Sequence, residues 1–189
     1  MKRILWGIVA VGLMLPQGGM QGQVQGGRDA NQATVISAEE IQTVVKSPGG
    51  GDREIKILDM GKYNMGVAVL RRAAIKPGGP ISAINHTNLT EVYYVVSGSG
   101  TLVTGGEVEN IRPLAANNEL VTMVVGPGNN ATFKKPAQER KIAAGDVVVI
   151  PAGVYHGFSE VPDHIEYVSI RPDVEKILPA GYVHPSIKK

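Results

Sequence analysis

The chain of 189 residues contains no cysteine, which excludes disulfides and a lipid anchor on an N-terminal cysteine. Aromatic residues are few, with two Phe and one Trp. Charge of one sign is also lacking: 19 basic residues stand against 17 acidic ones and are spread along the chain. No basic footprint for nucleic acid is present, and no nucleic-acid partner is expected. Long apolar runs are missing too. The longest, from Ile4 to Pro16, follows Lys2 and Arg3 and precedes a Gly/Gln-rich stretch, in the order of a secretory signal peptide. It falls short of the roughly 20 residues that span a bilayer, the requirement for the alternative of an uncleaved anchor. The expectation is a signal peptide over about 1–26, cleaved between Gly18 and Gly27, and a linker over 27–36. The mature protein is then periplasmic or extracellular, with no stable membrane span.

What is abundant is glycine, at 24 residues, and proline, at 12, set among short Val/Ile/Tyr/Thr runs. This length suits one domain, over 37–189, and this composition suits an all-β class. Ser37-Ala38-Glu39-Glu40 has the form of a capping box, with Ile41, Val44 and Val45 at helical spacing behind it. The expectation is a short helix from Ala38 to Lys46, stopped by SPGGGD. From there the period becomes two: EIKILDM, YNMGVAVLRR, ISAINH, EVYYVVSG, GTLVTG, ELVTMVVG, DVVVIP and HIEYVSIRP read as strands of a sandwich or barrel. Gly105 to Gly145 is irregular, either a decorated loop or an extra strand pair. The tail from Val174 is expected to form one short helix before Pro179 and then wrap the surface.

Residues two apart on a strand share a face, so His86 points with Ile84 and Ser82 while Asn85 points away. The TNLT turn returns the chain so that Glu91 opens the next strand near His86, with Tyr93 on its face. In GDVVVIPAGVYHGFSE, the turn at Pro151 and Gly153 delivers His156 to the end of another strand. Two imidazoles and a carboxylate suit a transition metal with open positions. Each has a plainer reading: His86 as a bonded core histidine, Glu91 as a surface partner of Arg71 or Arg72. His164 is expected in solvent, and His184 in the tail. Tyr93 is a candidate proton donor or a packing residue; Asn85 and Asn88 contact substrate or shape the turn.

These residues carry a resemblance to the cupin family, whose fold is a double-stranded β-helix, or jelly roll. Its first motif runs Gly, five residues, H-x-H, three or four residues, Glu, six residues, Gly, and Gly78, Ile84, His86, Glu91 and Gly98 occupy those places. Its second, Gly, five residues, P-x-G, two residues, His, is matched throughout by Gly145, Pro151, Gly153 and His156. The barrel is expected over about 50–173. One departure stands out: Ile84 replaces the first His ligand. The resemblance therefore implies either a His86, Glu91 and His156 triad holding one divalent transition metal (Fe, Mn, Cu, Ni or Zn), or a site that has lost its metal and binds something apolar. Ile84 and Asn88 are the candidates for lining the substrate. The activity implied is oxygen-using oxidation, by an oxidoreductase, of a small organic acid, phenolic or carbohydrate. The alternatives are a non-catalytic module binding a sugar, small acid or metal, and an isomerase or epimerase. Relatives of this kind often pair, so a homodimer is a possible assembly.

Overall fold

The computed structural model describes residues 32–48 and 51–187; the expected signal peptide lies outside them. Helix α1 (Ala38–Lys46) begins at the foreseen capping box, Ser37 Oγ accepting from the Glu40 amide at 3.1 Å and Glu40 Oε2 from the Ser37 amide at 3.0 Å. Its Val44 packs on Ile55 and Val69, so the helix covers one face of the first two strands.

Seven strands follow: β1 (Gly51–Asp59), β2 (Asn64–Ile75), β3 (Ser82–His86), β4 (Glu91–Pro113), β5 (Gly128–Ala143), β6 (Val147–Ile150) and β7 (His156–Asp173). All pairings are antiparallel. β7 lies between β2 and the first part of β4, β1 flanks β2, and β6 flanks β4; on the other side β3 and the second part of β4 pair with β5. The long strands β4 and β7 bend from one sheet into the other, which closes the jelly roll. Period-two alternation sends Leu70, Tyr93, Val95, Leu102, Ile142, Phe158, Ile165 and Tyr167 inward as the principal core.

Three sequence expectations change, and the alternative left open at Gly105 to Gly145 is decided. EVYYVVSG and GTLVTG belong to one continuous strand, β4, because Gly98 at φ +72° lets it bend where a Cβ would lie 2.0 Å from the His164 carbonyl oxygen. The Gly105 to Gly145 segment is an extra strand pair: β4 continues to Pro113 and pairs with β5, which includes KKPAQERK. ELVTMVVG is not a strand; Leu120–Val125 forms a single π-helical turn that buries Val121, Val124 and Val125. The tail forms no helix before Pro179. Asp173 instead accepts from the amides of Ile177 and Leu178, and the chain returns along β1 through a Lys56–Val183 bridge. Among the described residues no helix is long and apolar enough to cross a membrane.

Candidate metal centre

β3 ends at His86, and β4 opens at Glu91 after the turn. The second-motif turn is tied to the first motif directly, since the Gly153 amide donates to the His86 carbonyl at 2.7 Å. Gly153 has φ +81°, a conformation that costs glycine little and that delivers the chain to His156 opposite Ile84. Local turn chemistry thus brings together three side chains from three strands.

They are the His86, Glu91 and His156 of the sequence reading, all buried, with one ligand atom from each within 4.8 Å of the others. Glu91 Oε2 lies 3.3 Å from His86 Nε2 and 3.1 Å from His156 Nε2. The His156 ring is fixed by its other nitrogen, Nδ1, 3.0 Å from the Val154 carbonyl. A carbonyl only accepts, so Nδ1–H donates to it and Nε2 is the ring atom turned to the carboxylate. A ring nitrogen and a carboxylate oxygen at that distance are joined by a proton, in a hydrogen bond, or by a metal ion. The donor set and the backbone anchor on the far side of the ring fit a metal.

Tyr93 shares this oxygen, its hydroxyl donating to Glu91 Oε2 at 2.8 Å. Burial and the neighbouring Glu91 charge raise the Tyr93 pKa well above its ordinary value, so the phenol keeps its proton. The other oxygen of Glu91 is occupied from behind, accepting from Ser169 Oγ at 3.1 Å and Arg171 Nε at 2.7 Å. Burial alone would raise the Glu91 pKa, but Arg171 and the hydrogen bonds with His156 and His86 hold it well below the ordinary range.

Arg171 is the residue the sequence reading lacked. It is fully buried, and besides Glu91 it pairs with Asp52 through Nη2 and stands 3.6 Å from Glu54 Oε2 through Nη1. Three carboxylates thus converge on one guanidinium. The signal was available in YVSIRP, where Tyr167, Ser169 and Arg171 alternate onto the inward face. Burial pushes the Glu54 carboxyl up to about 8, which relieves part of the excess negative charge. Neither surface partner suggested for Glu91 is its partner: Arg71 pairs with Glu166, and the Arg72 Nε donates to the Tyr167 hydroxyl at 3.0 Å.

The centre forms the floor of a cavity of about 430 Å³, walled by Leu70, Arg72, Ile84 and Ile75 and capped by Leu120 and Val125 of the π turn. Ile84 therefore faces the cavity, as its place on the strand requires. Asn88 is not in this wall; it lies at the surface and donates to Glu175 at 2.7 Å. Asn85 shapes the turns, contacting the Gly153 carbonyl and accepting from the Asn129 amide. His164 is half-buried rather than in solvent, with Nε2 3.1 Å from Ser97 Oγ. His184 is not in this wall; it lines a second cavity together with Asp52 and Glu54.

Comparison with known proteins agrees with this architecture. Among curated proteins none matches the chain. Solved structures similar to it include a protein of Bacillus halodurans, 17% identical, covering 82% of this chain and 92% of that one with a TM-score of 0.47. An uncharacterized conserved protein with a double-stranded β-helix domain from Klebsiella pneumoniae is 17% identical, with coverages of 80% and 93% and a TM-score of 0.43. Ectoine synthase from P. lautus is 12% identical, with coverages of 79% and 81% and a TM-score of 0.42. The family model described as Cupin matches residues 37–173, from the capping box of α1 to the end of β7 and across both histidine-bearing turns. The chain belongs to the cupin family.

Proposed function

We propose that the protein is an exported metal-dependent enzyme, an oxidoreductase that uses oxygen to oxidise a small organic acid, phenolic or carbohydrate. One observation carries the reading: two imidazole nitrogens and a buried carboxylate oxygen converge at the floor of an accessible cavity. His86, Glu91 and His156 would hold a divalent transition metal, which would supply Lewis acidity toward substrate and oxygen. The chain's own residues supply the rest. Arg171 and Ser169 fix the orientation of Glu91, the Val154 carbonyl fixes the His156 ring, and Tyr93 holds a proton at its hydroxyl beside the centre. Ile84, in place of a fourth protein ligand, makes that side of the cavity apolar.

Oxygen uptake by protein loaded separately with Fe and Cu, against a panel of phenolics, organic acids and sugars, tests this. Metal-dependent uptake with at least one class, lost in His156→Ala, is the expected result; no uptake from any loaded form contradicts it.

A second reading, a cupin that binds a small molecule without turnover, is favoured by one specific contact. Arg171 already supplies Glu91 with a cation, so a buried carboxylate here does not by itself require a metal. Export rests on the basic residues and apolar run at the N-terminus. We also propose a homodimer through the outer face of β4 and the edge strand β6, where Tyr94, Val96, Val147 and Val149 are exposed side by side. Light scattering should give twice the chain mass, reduced to the monomer in Val149→Lys; a monomeric wild type refutes it.

A further inference from the structure

Arg72 stands apart from the other charged residues around the cavity. It lies on the inward face of β2, one step beyond Leu70, and is half-buried in the wall. Its Nε is taken by the Tyr167 hydroxyl, and its guanidinium carbon stacks 5.3 Å from the centroid of the Phe158 ring. These two contacts fix the plane of the group. Yet among the described residues no carboxylate lies in ion-pair range of it, and Nη1 and Nη2 have no hydrogen-bond partner. Those two nitrogens are not among the buried unpartnered polar atoms, so they open to solvent within the cavity wall.

The neighbouring acids do not claim this cation. Asp52, on the same wall, is paired with Arg171, and Glu166 is paired with Arg71. A guanidinium held by its edge and face, with two parallel donors left over, matches the fork of a carboxylate. The cavity that Arg72 shares with the metal centre is lined in part by the apolar side chains of Leu70, Ile75 and Ile84. A phosphate dianion would bring a second negative charge beside Asp52 and Glu91, whereas one carboxylate balances the one uncommitted cation.

We propose that Arg72 anchors the carboxylate of the substrate, and that the substrate is a small organic acid whose apolar body lies along Ile75 and Ile84 toward His86 and His156. This narrows the substrate class of the function proposed above and rests on that reading for the reaction, though not for binding.

The test is equilibrium binding of benzoate and hexanoate, each against its neutral amide, to the full chain as purified and after chelation. In both states the acids should bind about tenfold more tightly than the amides, the scale of a charge-assisted bidentate pair. Arg72→Gln should abolish that preference while leaving metal content unchanged. Arg72→Lys, which keeps the charge and loses the fork, should lose most of it and decides the matter if the Gln variant does not fold. Equal binding of acid and amide by the wild type, no binding of either acid, or a preference retained in the variants overturns the proposal. A preference that depends on Arg72 in a chain that takes up no metal leaves the proposal standing and refutes the metal reading alone.

Discussion

Arg171 Nε holds one oxygen of Glu91 at 2.7 Å while the other oxygen of the same carboxylate faces His86 and His156 at 3.3 and 3.1 Å. The carboxylate is therefore divided: one oxygen is bound to the scaffold and the other is presented to the centre. Holding Glu91 ionised when buried requires this partner, because an isolated carboxylate in an apolar interior protonates instead.

Arg171→Met should leave Asp52, Glu54 and Glu91 without their shared cation. We expect a loss of about 3–5 kcal/mol, the cost of breaking a buried pair from one side. Where the variant folds, metal affinity should drop by about 10–100-fold, as for loss of an outer partner to a metal ligand. Chemical denaturation and metal titration measure the two effects; unchanged metal affinity would show that Arg171 has no part in presenting Glu91.

Glu54 gives a pH dependence with a definite sign. Its carboxyl is raised from 4.5 to about 8 by burial, so the folded protein binds the proton more tightly than the unfolded chain. The associated stability is present below the unfolded value and is lost as pH rises through the folded one. Wild-type stability should decline by a few kcal/mol between pH about 5 and about 8 on account of this residue. Glu54→Gln should flatten that decline in melts taken across the interval; an unchanged profile would exclude Glu54 as its source.

Gly98→Ala should be among the most damaging small substitutions. At φ +72° a side chain is strained, and the added carbon would sit 2.0 Å from the His164 carbonyl oxygen. The backbone must move where β4 crosses β7, and a loss of about 2 kcal/mol or more is expected by thermal or chemical denaturation. A melt equal to wild type would mean that the bend in β4 does not need glycine.

Much of the centre was legible because it is local. His86 and Glu91 are joined by one short turn, and Pro151 and Gly153 place His156 by backbone geometry that the sequence states openly. The jelly roll was legible from period-two runs and turn residues, as was α1 from its capping box. Arg171 was hidden because its partners lie 80 and 119 residues away, and a charged residue near a strand end reads as surface. The π turn was hidden because LVTMVV has the composition of a strand, and only its packing against β1 and β2 decides otherwise. Asn88 was placed near substrate by proximity in sequence to His86, but the turn carries its side chain outward to Glu175.

The metal content of the untagged protein tests the central claim most directly, measured by elemental analysis on wild type and His156→Ala with melting curves taken in parallel. The account predicts near-stoichiometric transition metal in the wild type and its loss in a variant that still melts cooperatively. A wild type that holds none after reconstitution with each of Fe, Mn, Cu, Ni and Zn, or a His156→Ala variant that keeps its full complement, would contradict it.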